Sequence, residues 1–181
     1  MSHPLSSIFD RAPLLHLKLG QRLFHTGQTV QRVFLVTQGQ VQLQRHTPQG
    51  QALILQNASV DTILAEASAY SIHYHCDAIA LTASTVRSVN QTTFLQAIDQ
   101  SPALARQWAS LLARSVQTAR VRAEIRSLPT VAARLDVWLA EGNVLPSKGH
   151  WQTVAAELSV TREALYRELA RRRKPDSSIG S

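Results

Sequence analysis

WQTVAAELSVTREALYRELARRRK, residues 151 to 174, is the stretch on which the reading of the fold turns. It predicts a helix from about Gln152 to Leu158, a three-residue corner at Ser159, Val160 and Thr161, and a second helix to about Arg172. Helices joined by so tight a corner pack through small and branched residues, here Ala155, Leu158, Val160, Leu165 and Leu169. At about 100° per residue, Arg162, Glu163, Tyr166 and Arg167 share one arc beside the Leu165/Leu169 face. This is helix-turn-helix spacing, and it offers base edges two guanidinium forks, a carboxylate and a phenol. Arg can bond guanine O6 and N7 together, and a carboxylate can accept from cytosine N4, each good pair being worth about 1–3 kcal/mol of discrimination. Thr161, the expected N-cap, can also reach a phosphate, as can Arg171, Arg172, Arg173 and Lys174. The plainer alternative is a solvated charged face on a helical hairpin.

The segments before it are helical too. TVAARLDVWLAEG (130–142) reads as an amphipathic helix with Val131, Leu135, Trp138 and Leu139 inward and Gly142 as its stop. Ser101-Pro102 is a strong start signal for a longer helix that runs to Leu128, where Pro129 ends it. Along it Leu104, Leu111, Thr118 and Ile125 recur every seven residues, with Trp108, Ser115 and Arg122 offset by four. That stripe predicts a self-associating seam; the alternative is an ordinary helix lying on its own domain. A shorter helical run, TTFLQAI, begins near Thr92.

Upstream of about residue 90 the period changes. Glycine–glutamine pairs at Gly20, Gly27, Gly39 and Gly50, spaced 7, 12 and 11 apart, mark turns between short strands. Between and after them lie VFLV (33–36), VQLQ (41–44), ALIL (52–55), AIAL (78–81) and TVRSV (85–89), which predict a small antiparallel barrel or jelly roll. The chain thus reads as α+β, with a β-roll sensor domain over 1–100, a dimerisation helix over 101–128 and a helix-turn-helix domain over 129–181.

Charge follows the same division. Of 19 Lys and Arg and 12 Asp and Glu, residues 1–100 hold six and five, net +1, and residues 101–181 hold thirteen and seven, net +6. An anionic partner for the second half is implied. One cysteine excludes an internal disulfide framework and a four-cysteine zinc site. With no charged-then-apolar leader and no long apolar run, a cytoplasmic protein that neither spans nor anchors in a membrane is expected.

A β-roll with spaced glycines, a long helix and a C-terminal helix-turn-helix, in that order, resemble the Crp/Fnr family of bacterial transcription regulators. The resemblance is closest to the cyclic-AMP receptor protein subgroup, whose recognition helix carries Arg-Glu and a second Arg five positions on, as Arg162, Glu163 and Arg167 do here. It implies a cyclic-nucleotide-binding-type roll, a homodimer on double-stranded DNA with TGTGA-like half-sites, RNA polymerase as a further partner, and no enzymatic activity. Two departures stand out. Ser159 replaces the usual corner glycine, a modest change provided the backbone there avoids positive φ. The tail KPDSSIGS is too short and polar for the family's wing, so a helix-turn-helix lacking an obvious wing is expected.

In such proteins the nucleotide cassette is a glycine–glutamate pair followed by an arginine and a small hydroxyl residue. DTILAEAS (61–68) keeps Glu66 but has Ala65 for the glycine. The arginine position falls at about His75, in YSIHYHCDA (70–78), with Cys76 next and neither Arg nor Lys between Arg45 and Arg87. A buried phosphate without a fixed cation is costly, which argues against cyclic AMP and for a degenerate or altered pocket at Glu66, His75 and Cys76. A small-molecule effector is left open, as is an effector-free regulator. No cofactor is expected. A small-molecule- or metal-binding β-barrel enzyme with His73 and His75 as ligands, haem, and Cys76 as a redox switch are the other readings, beside a polar strand whose rings face the barrel's interior or the domain contact.

Overall fold

The computed structural model describes residues 4–46 and 52–173. Among the described residues, eight strands and five α-helices follow in order: β1 (Leu14–Leu17), β2 (Arg22–Phe24), β3 (Arg32–Gln38), β4 (Val41–His46), β5 (Ala52–Ala58), β6 (Ile63–Leu64), β7 (Asp77–Ala80), β8 (Ser84–Asn90), α1 (Gln91–Gln100), α2 (Pro102–Ser127), α3 (Val131–Ala140), α4 (Trp151–Glu157) and α5 (Arg162–Arg173). They form two compact units, residues 1–114 and 115–181, and the division falls inside α2.

In the first unit two antiparallel four-stranded sheets, ordered β1-β8-β3-β6 and β2-β7-β4-β5, face each other as a roll. The pattern of β4 follows from this: Val41 and Leu43 enter the inter-sheet core while Gln42 and Gln44 point outward. β3 is instead apolar on both faces. Phe34 and Val36 join the inter-sheet core, whereas Val33 and Leu35 join a second core with Phe94, Ile98 and Trp108 of the helices and Leu5 and Phe9 of an N-terminal 3-10 turn. An unbroken run such as VFLV is what a doubly covered strand requires. Gly20, Gly27 and Gly39 all have positive φ, as turn glycines should. The fourth pair, at Gly50, lies outside the described residues.

Along α2, Leu104, Trp108 and Leu111 pack on the second core of the roll and Ile125 packs in the core of the helical unit, while Thr118 of the same stripe and Val116 beside it are exposed. Three expectations need correction. YSIHYHCDA is not one polar strand, because residues 70–76 bend around a single bridge between Thr29 and His73 and β7 begins at Asp77. Its histidine rings do not face the interior; Tyr74 and Cys76 do. Ser159 does not avoid positive φ but sits at +52°, and Ala65 has the same value.

In the second unit Ile125, Leu135, Trp138, Trp151, Val154, Leu158, Leu165 and Leu169 make one core. Ser101 begins α2 by accepting from the Leu104 N–H, and Thr130 begins α3 by accepting from the Ala133 N–H. The tail on which the absence of a wing was argued, residues 174–181, lies outside the described residues.

Candidate nucleic-acid interface and effector pocket

α5 starts where Thr161 Oγ1 accepts from the Ala164 N–H at 3.2 Å. The corner before it is fastened from α3: Arg134 donates to the Leu158 and Ser159 carbonyls, each at 3.0 Å, and to the Leu128 carbonyl at 2.7 Å. Nothing in the sequence marks Arg134, because its partners are carbonyls that any residue could supply. With α5 so placed, Arg162, Glu163 and Arg167 are exposed. Tyr166 is half-buried, its ring edge-on to Trp151 with 4.9 Å between centroids and its hydroxyl donating to the Lys148 carbonyl at 3.0 Å. The Arg162 guanidinium lies 5.2 Å from the Tyr166 ring centre, so the phenol supports an arginine.

The basic end of α5 divides by environment. Arg171 makes two hydrogen bonds to Glu168, at 2.8 and 3.0 Å, and remains exposed. Arg172 binds Glu168 at 2.6 Å, Asp136 at 2.7 Å and the Ala132 carbonyl at 3.1 Å, which joins α5 to α3. Hydrogen bonds from Arg171 and then Arg172 hold the Glu168 carboxyl down to about 2. Arg173 lies over the Trp151 ring at 5.1 Å. Lys174 is outside the described residues.

In the roll, Glu66 opens a short 3-10 turn whose preceding residue, Ala65, is left-handed. Ser68 Oγ and His75 Nδ1 are 2.8 Å apart. Burial and the positive charge of Arg45 hold His75 below its usual range, with Glu66 acting the other way. Cys76 is fully buried, and burial with the charges of Asp77 and Glu66 pushes its thiol up to about 11. Both effects disfavour the thiolate, the reactive form, at neutral pH. Among the described residues no group of three or more His, Cys, Asp or Glu side chains could hold a metal ion. The charge that reaches the cassette from elsewhere is that of Arg45, on β4. Pairing of Gln44 with Asp77 brings β4 beside β7, a juxtaposition that no local pattern announces.

Residues 14–101 match the family described as the cyclic nucleotide-binding domain. A search of curated proteins finds no match. Among solved structures, the chain is similar to FixK2 from Bradyrhizobium japonicum, at 17% identity over 88% of this chain and 83% of that one, with a TM-score of 0.73. It is similar to the c-di-GMP responsive global regulator CLP of Xanthomonas campestris at 15% identity, 93% and 90% coverage and a TM-score of 0.73. For the Catabolite Activator Protein of Thermus thermophilus the values are 22%, 92% and 81%, and 0.57.

Proposed function

From the premise that residues 14–101 are a cyclic nucleotide-binding domain and that the chain shares the fold of Crp/Fnr-family transcription regulators, we propose a DNA-binding regulator that acts as a homodimer. In this reading α4, the corner and α5 are a helix-turn-helix, and α5 enters the major groove. The observation that carries it is the exposure of Arg162, Glu163 and Arg167 on a helix seated by Arg134 and Arg172. The two arginines address guanines and Glu163 a cytosine, as a TGTGA-like half-site requires. Thr161, Arg171 and Arg173 supply phosphate contacts, while Tyr166 and Arg172 hold the reading helix in place. RNA polymerase is a further partner on this reading.

The effector pocket is an altered one. Cys76 and His75 supply no fixed positive charge where a cyclic phosphate would need one, which disfavours cyclic AMP. Residues Glu66, Ser68 and His75 remain a polar cluster that another small molecule can address.

Fluorescence anisotropy on a palindromic TGTGA duplex tests the DNA reading. Affinity should fall steeply with salt, and Arg167→Ala should lose about 1–3 kcal/mol of preference over a scrambled duplex. If Arg167→Ala kept the full preference, the assignment of α5 as the reading helix would fail.

A further inference from the structure

The roll carries a second polar site, on its β2-β7-β4-β5 sheet, that the DNA reading does not use. A cleft of about 400 Å³ is lined by Arg22, His25, Thr26, Arg45, His46 and Asp77. Four of these six side chains are basic, drawn from β2, the turn after it, and the end of β4.

Asp77 organises them. One carboxylate oxygen accepts from the Thr26 N–H at 2.7 Å and the Thr26 hydroxyl at 3.0 Å. Its other oxygen lies 3.9 Å from an Arg22 nitrogen and 3.7 Å from His46 Nδ1. Those separations attract without making direct hydrogen bonds, so the guanidinium fork of Arg22 keeps its donors for something else. His25 Nδ1 is 3.0 Å from the Thr26 carbonyl, an acceptor, which favours the tautomer with its proton on Nδ1. Burial raises the Asp77 carboxyl, but the Thr26 bonds with Arg22 and His46 outweigh it and hold it below the usual range. Two arginines against one such carboxylate leave a positive excess even with both imidazoles neutral.

We propose that this cleft binds the phosphate group of a small phosphorylated molecule, held by Arg22 and Arg45 with His46 completing the shell. Guanidinium forks match the oxygens of a phosphate in pairs, and a concave site with convergent donors holds such a group better than a flat basic surface does. The site is separate from the α5 arginines and does not depend on DNA binding. It adjoins the cassette, because the charge of Arg45 also acts on His75 and Cys76.

The test is titration of the full chain with inorganic pyrophosphate. Calorimetry reads affinity, and long-range proton–nitrogen correlation spectra read the histidine rings. Saturable binding is expected, with the His25 and His46 rings shifting along one curve. Arg22→Gln and Arg45→Gln should each weaken it by about tenfold or more, and Arg167→Ala should leave it unchanged. Spectra of each variant check its fold, and if one variant unfolds the other decides. The proposal is overturned if shifts stay linear in concentration or are reproduced by sodium chloride of equal ionic strength. It is equally overturned if both folded variants bind as the parent does, or if an acidic peptide saturates the cleft while pyrophosphate does not.

Discussion

Among the described residues three that are not glycine hold positive φ, Asp61, Ala65 and Ser159, and the last two lack the short carboxylate acceptor that eases it in aspartate. Ala65 and Ser159 both have φ of +52°, in the left-handed region where a Cβ costs about 1 kcal/mol relative to glycine. At Ser159 the surrounding structure compensates: Arg134 grips the corner carbonyls, and the Val160 N–H returns to the Ala155 carbonyl at 2.9 Å. At Ala65 the Ser68 N–H bonds back to the Ala65 carbonyl at 2.8 Å, closing the turn that presents Glu66. Ser159→Gly and Ala65→Gly should therefore each raise stability, by up to about 1 kcal/mol in urea unfolding, with no change in far-ultraviolet circular dichroism. A fall in midpoint for either would show that the native side chain makes contacts outweighing its backbone cost. The family resemblance implied a glycine at both places, but the sequence did not say that the left-handed conformation is present with another residue there. That depends on a corner whose φ is set by packing between helices.

Among the elements, α5 shows how one run of like residues separates into different roles. Arg171, Arg172 and Arg173 are consecutive, yet Arg172 alone reaches α3, where it meets Asp136 and the Ala132 carbonyl. Arg172→Ala should destabilise the helical unit by about 1–2 kcal/mol, whereas Arg171→Ala, on an exposed pair, should leave the midpoint nearly unmoved. Thermal unfolding of the two variants checks the contrast. The same cluster sets an acid limit. Glu168 titrates near 4.5 in an unfolded chain and at about 2 here, so its contribution is complete above about 4.5 and is lost as pH falls toward 2. Glu168→Gln should flatten that acid limb, and an unchanged pH profile would remove Glu168 from the account. Helix limits were legible because serine, threonine and proline act locally on free amides. The partners of Arg172 were not, because Asp136 lies 36 positions away.

At the scale of the molecule, the chain comprises a roll unit and a helical unit with α2 running through both. Within each unit, apolar positions of α2 are already covered by that unit's own core. If the proposed homodimer forms through α2, Val116, half exposed in the middle of that helix, is open to it. Val116→Asp should shift the protein toward monomer in sedimentation equilibrium and weaken binding to a palindrome more than to a half-site. If it sedimented as the parent does, α2 would not be the dimer contact. Among the described residues no helix is long and apolar enough to cross a membrane.

The sequence by itself determined the change of period near residue 90, the turns at Gly20, Gly27 and Gly39, the helix starts at Ser101, Thr130 and Thr161, and the basic second half. All of these are encoded by neighbours a few positions apart, through backbone conformation, capping and the apolar repeat. Only the tertiary structure decided that His73 and His75 face outward while Tyr74 and Cys76 fill the core. It also decided that Arg45 acts on the cassette from another strand, that Arg172 faces α3, and that four basic side chains gather around Asp77. Strand pairing and helix packing join residues tens of positions apart, and their contacts leave no trace in a local pattern.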